Sequence, residues 1–146
     1  MSAHPASAPE LRRTLILVDT SVWVKFFRQP SAHESCTLDT LLSFGPVATC
    51  APIQAEVVSG APTLAEFRRL RDVFSALVDL PLPPDVWQKL EERRFALARR
   101  GTQAALTDLL IAITAEQHHV PLWTLDEDFE RIAAVVPLLL YRPAAP

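Results

Sequence analysis

Four carboxylates in this 146-residue chain stand where solvent-facing acids are not expected. Asp19 ends the aliphatic run Leu15-Ile16-Leu17-Val18 and is followed by two hydroxyl residues, Thr20 and Ser21. Glu56 lies within Ile53-Gln54-Ala55-Glu56-Val57-Val58, Asp108 opens the apolar run Asp108-Leu109-Leu110-Ile111-Ala112, and Asp126 follows Trp123-Thr124-Leu125. Singly, each has an ordinary explanation: a cap for Asp19 or Asp126, a helix-dipole acid for Asp108, an Arg partner for Glu56. Gathered on one edge, however, four carboxylates repel one another unless divalent cations compensate their charge. The all-oxygen donor set suits Mg²⁺ or Mn²⁺, and the lack of a His or Cys cluster argues against zinc. Such a site supports phosphodiester hydrolysis, in which bound metal lowers the pKa of water and steadies the leaving oxygen.

The elements that must position these acids alternate along the chain. Thr14 to Val18 reads as a buried strand and Val22 to Phe27 as a short helix. Residues 34–44 carry Leu38, Leu41 and Leu42 at helical spacing, and Gly45-Pro46 ends that helix. Val47 to Cys50 reads as a second strand, followed by a helix that carries Glu56 and stops at Gly60-Ala61-Pro62. Thr63 caps a helix running to about Leu77, Val78 to Leu80 is an edge-like third strand, and Asp85 caps the next helix, which Gly101 ends. Residues 107–119 form the most apolar helix, Pro121 to Leu125 a fourth strand, Asp126 to Ala134 a short helix, and Leu138 to Tyr141 a last strand. The pattern predicts an α/β three-layer sandwich with a central, mostly parallel sheet of about five strands. In such a sheet the strand C-termini and the following helix N-termini share one edge, which is where ligands bind.

Composition narrows the class further. Hydrophobic residues make up 49% and charged residues 21% of the chain, as in globular domains rather than disordered ones. The expected organisation is a flexible tail over 1–13, a single domain over 14–141 and a short tail over 142–146. No apolar run reaches the ~20 residues that span a bilayer, and the first dozen residues lack an apolar signal core, so the chain reads as cytoplasmic. Cys36 and Cys50 suggest two reduced thiols, with Cys50 buried. The net charge of −3 does not attract nucleic acid in bulk, so a polyanion has to meet a local patch or a bound metal. Arg93, Arg94, Arg99 and Arg100 are a candidate patch, although they equally suit a basic helix end. Glu66, Glu91, Glu92, Glu116 and Glu130 read as solvated helix faces. Val22, Trp23, Phe26, Phe27, Phe67 and Phe74 pack a core or line a groove for a partner.

Four segments carry a resemblance. Leu-Val-Asp19-Thr-Ser, Glu56-Val-Val-Ser-Gly60, Thr107-Asp108-Leu-Leu-Ile-Ala-Ile-Thr-Ala115 and Leu-Trp-Thr124-Leu-Asp126-Glu-Asp-Phe129 resemble, in order and separation, the four acidic motifs of PIN-domain ribonucleases. Ala105 departs from relatives that often carry Pro or a polar residue there. The likeness runs from about Thr14 to Tyr141 and is similar in size to VapC-type toxins of toxin–antitoxin pairs. It implies a metal site of Asp19, Glu56, Asp108 and Asp126, in which Thr20, Ser21 and Thr124 hold the ligands and Asp128 is auxiliary. It further implies an endoribonuclease that inhibits translation, with an RNA substrate, a cognate antitoxin and a homodimer. The competing readings are a HAD-like phosphohydrolase with Asp19 as nucleophile, which lacks the second Asp expected at Ser21, and a PIN-like scaffold that binds RNA or protein without cutting.

Overall fold

Leu15 to Val18 have no polar face, and all four are buried, so the chain enters through the middle of the sheet rather than at an edge. The computed structural model describes residues 15–145; the tail expected over 1–13, together with Thr14 and Pro146, lies outside the described residues. The elements are β1 (Ile16–Val18), α1 (Thr20–Arg28), α2 (His33–Phe44), β2 (Val47–Thr49), α3 (Ala51–Ser59) and α4 (Leu64–Ser75). They continue as β3 (Val78–Asp79), α5 (Val86–Arg99), α6 (Leu106–His118), β4 (Leu122–Trp123) and α7 (Asp128–Ala133). The strands form one parallel sheet in the order β3-β2-β1-β4, flanked by the helices.

That order makes β1 a switch point. From β1 the chain crosses to β2 on one side and returns later to β4 on the other. Helices leaving β1 and β4 therefore diverge and open a crevice beyond the strand C-termini. Asp19 stands directly after β1, and its backbone N–H donates to Trp123 O at 2.9 Å, tying the two strand ends together.

The expected fifth strand is reduced to a single bridge, Leu122 with Leu140. The run Leu138 to Tyr141 is apolar enough for a strand, but Pro137 has no N–H and Leu138 N–H is turned back to Val136 O at 2.7 Å. Only Leu139 O and Tyr141 N–H reach Leu122, too few for a ladder. The helix after β1 begins two residues earlier than its apolar stretch, because Asp19 caps it by accepting from Ser21 N–H. The last helix begins at Asp128 rather than Asp126.

Packing settles the aromatic residues. Trp23 is 0% exposed, and its ring meets Phe26, Phe27 and Phe74 at centroid distances of 4.8–6.0 Å. Val22, Trp23 and Phe74 are therefore core and are not offered to a partner. Phe26, Phe27 and Phe67 are half-buried against that core.

Glu116 corrects the reading of a solvated face. Its side chain is 9% exposed and accepts from Arg93 Nη2 at 2.6 Å across the α5–α6 contact. Arg93 thus neutralises a buried acid and is withdrawn from the RNA-binding patch. Its Nε and the second oxygen of Glu116 have no partner among the described residues, so the pair is single-bonded. Arg93→Ala leaves Glu116 buried without its cation and is expected to cost about 3 kcal/mol. Urea unfolding checks this, with a double replacement by Met and Leu expected to cost less than Arg93→Ala alone.

Candidate metal centre

The crevice is built from hydroxyls outward. Asp19 is 4% exposed, and its Oδ2 accepts from Ser21 Oγ at 2.7 Å, from Thr124 Oγ1 at 2.9 Å and from Ser21 N–H at 3.4 Å. Each hydroxyl has one proton, and backbone donors fix where it goes. Leu125 N–H donates to Ser21 Oγ at 3.0 Å and Asp126 N–H to Thr124 Oγ1 at 3.0 Å, so both hydroxyl protons are free to turn onto Asp19. One carboxylate oxygen is thereby saturated, while Oδ1 carries no hydrogen bond among the described residues.

Three of the other acids form a tight group in the crevice. Asp108, Asp126 and Asp128 each offer an oxygen such that the three lie within 4.8 Å of one another. Asp19 and Glu56 stand outside this tightest group. Glu56, on α3, is exposed and accepts from Thr20 Oγ1 at 3.0 Å, so the first hydroxyl after β1 holds the α3 acid as the second holds Asp19. Asp128 N–H donates to Asp126 Oδ1 at 2.9 Å, and the Asp128 carboxylate pairs with Arg131 one turn along α7.

Electrostatics couple four of these acids. Asp108 is half-buried, and its carboxyl is pushed up to about 6 by burial first, then by the charges of Asp19, Asp126 and Glu56. Burial also raises the Cys50 thiol to about 12, with Asp79, Asp19 and Glu56 adding to the effect. A thiol so raised is neither a nucleophile nor a ligand at neutral pH. His118 is spent on Pro81 O at 2.8 Å, and His119 closes α6 in a left-handed conformation at φ 55°.

Comparison with known proteins places this geometry. The PIN domain family model matches residues 16–135. The chain is 30% identical over 128 residues to the ribonuclease VapC11 of Mycobacterium tuberculosis, covering 85% of this chain and 96% of that one. It is 35% identical over 104 residues to VapC21 of the same organism, covering 67% and 73%. The chain belongs to the PIN-domain family. Among solved structures, the VapBC-5 toxin–antitoxin complex of M. tuberculosis superposes with a TM-score of 0.65 at 25% identity, covering 89% of this chain and 99% of that one.

The residues of this PIN domain fit a hard divalent cation. The donors are oxygens only, and a spread of 4.8 Å is close to what a six-coordinate ion with bonds of about 2.1 Å bridges after small side-chain shifts. The open Oδ1 of a 4% exposed Asp19 and the repulsion that raises Asp108 both ask for positive charge. Arg131 supplies it at the rim, on Asp128. The phosphohydrolase reading fares poorly here, since a nucleophilic Asp19 needs an accessible, mobile carboxylate and this one is buried and clamped.

Proposed function

We propose that this PIN-domain chain, as a single domain over 14–141, is a divalent-metal-dependent endoribonuclease of the VapC type. In this reading it is the toxin of a toxin–antitoxin pair that inhibits translation in the cytoplasm. The observation that carries this reading is the half-buried Asp108 facing the charges of Asp19, Glu56 and Asp126 in the crevice beyond β1 and β4. Asp19, Glu56, Asp108 and Asp126 would hold Mg²⁺ or Mn²⁺, with Asp128, paired with Arg131, as the auxiliary acid beside them. When bound, the ion supplies Lewis acidity that activates water and offsets charge gathering on the phosphate. Ser21 and Thr124 keep Asp19 oriented, and Thr20 does the same for Glu56. Arg94, Arg99 and Arg100 are exposed; Arg100, at the helix end, offers a contact for the RNA backbone, while Arg94 and Arg99 belong to the α5 face offered to a second copy. The test is cleavage of a tRNA and ribosomal RNA panel with Mg²⁺, with Mn²⁺ and with EDTA. Cleavage that persists in EDTA overturns the metal-dependent reading.

Two partners follow from the surface. A groove of about 470 Å³ between α1, α3 and α4 has Val24, Phe27, Val57 and Leu70 on its walls and reaches Glu56. It is a mixed groove, with Arg28, Glu66 and Arg69 beside those apolar walls, suited to an amphipathic antitoxin segment that both docks and blocks. On the outer face of α5, Trp87 and Phe95 are 59% and 63% exposed, and the guanidinium of Arg99 covers the Phe95 ring at 4.9 Å. The acids Glu91 and Glu92 precede Arg94 and Arg99 on this helix, so antiparallel pairing with a second copy sets unlike charges opposite one another. Phe95→Asp is expected to yield a monomer by light scattering on a gel-filtration column, with thermal stability nearly unchanged.

A further inference from the structure

A cavity of about 200 Å³ adjoins the acidic crevice, sharing Thr124 and Asp126 with it and completed by Glu127, Glu130, Tyr141 and Arg142. It is smaller than the roughly 300 Å³ at which pockets for drug-sized ligands begin, so it admits one ring system rather than a peptide. Tyr141 is its aromatic wall. The Tyr141 residue is half-buried, its ring packs edge-on against Trp123 at 5.7 Å, and its backbone N–H is anchored to Leu122 O at 2.7 Å, so the ring is held in place.

We propose that this cavity seats the base of the nucleotide next to the cleaved phosphodiester, and that this base is guanine. The assignment rests on the ribonuclease reading and adds its sequence preference. Bases of single-stranded RNA are recognised by stacking on an aromatic ring and by hydrogen bonds to their edges. Tyr141 supplies the ring. Arg142 has one Nη2 bond to Glu130 at 3.0 Å and keeps donors that match the O6 and N7 acceptors of guanine. Glu127 makes no ion pair or hydrogen bond through its side chain among the described residues, and its carboxylate matches the N1–H and N2–H donors on the opposite edge. Guanine alone offers two acceptors on one edge and two donors on another. Uracil and cytosine lack the N7 acceptor, and adenine presents an amino group where Arg142 requires an oxygen.

The chain contains a single tyrosine, which makes the test direct. Protein labelled with ¹³C-tyrosine is titrated with each nucleoside 5′-monophosphate in Mg²⁺, following the ring signal of Tyr141 by NMR. The expected result is a shift driven by GMP at about tenfold lower concentration than by AMP, CMP or UMP, with Glu127→Gln abolishing the difference. A Tyr141 signal that does not move, or moves equally for all four nucleotides, overturns the proposal. Cleavage of a randomised RNA by the same samples separates the two readings. Guanine-selective shifts without cleavage sink the ribonuclease and leave the base pocket standing, whereas cleavage with no guanine beside the cut sinks the pocket.

Discussion

Asp108→Asn is expected to cut RNA at least 100-fold more slowly than wild type and, in EDTA at pH 7.5, to melt higher. The first half follows from ligand chemistry: removing groups that merely orient metal ligands costs about 10–100-fold in metal affinity or activity, and a ligand itself costs at least as much. The second half follows from the raised carboxyl of Asp108. An acid raised in the folded state favours folding below its ordinary pKa, and that advantage is lost as pH rises through the folded value. Below about pH 4 Asp108 is protonated whether the chain is folded or not, so wild type and variant are equally stable. Between the ordinary value of 3.8 and the folded value of about 6 the wild type progressively loses stability relative to Asn, and above pH 6 the full penalty is present. The shift corresponds to roughly 3 kcal/mol unscreened; because Asp108 is half-exposed, about 1 kcal/mol survives solvent screening. That is about 2–4 °C in melting temperature for a chain of this size. Adding Mg²⁺ should reverse the order above pH 6, because binding to the folded state alone stabilises the wild type by mass action. Calorimetric melts across pH 4–8, with EDTA and with Mg²⁺, check all three statements. A variant that is no more stable than wild type in EDTA at pH 7.5 removes the electrostatic argument for the site.

How far the crevice was legible depends on which interactions are local. The position of Asp19 was readable because an acid ending an aliphatic strand stands at the ligand-binding edge of a parallel sheet, and its N-cap bond to Ser21 lies only two residues away. The switch at β1 was not readable, since strand order is decided by pairing between distant segments. Asp128 illustrates a finer limit. Asp126 and Asp128 lie two residues apart, and the start of α7 decides which of them turns inward; the structure brings both to Asp108. Glu116 failed for the opposite reason. Its sequence neighbours Gln117, His118 and His119 suggest a polar helix end, while its partner Arg93 comes from another helix. The run Leu138-Leu139-Leu140-Tyr141 has strand composition, yet a prolyl residue before it and a backward hydrogen bond from Leu138 spend the donors that a ladder needs. The guanine pocket left almost no trace in sequence, because Tyr141 and Arg142 acquire meaning only beside Thr124 and Asp126.

Thr124→Val is expected to weaken Mn²⁺ binding by about 10–100-fold while Thr124→Ser stays close to wild type. Thr124 Oγ1 does two things at once, donating to the Asp19 carboxylate at 2.9 Å and accepting from Asp126 N–H at 3.0 Å. Valine has nearly the same shape, so the packing around Trp123 survives and the change is confined to hydrogen bonding. Asp19 then loses one of the two hydroxyls that hold its Oδ2, and Ser21 alone permits rotation. Asp126 loses the bond that sets the start of its loop, so two ligands are released by one substitution. The stability cost is separately bounded: a buried carboxylate that keeps its Ser21 bond and one solvent-reachable backbone N–H each lose a partner, about 1–3 kcal/mol in total. Titration with Mn²⁺ followed by electron paramagnetic resonance reads affinity without any need for cleavage, and urea unfolding reads stability on the same samples. If valine binds Mn²⁺ as tightly as threonine, the hydroxyl clamp does not orient Asp19, and the open oxygen owes its direction to the strand end alone.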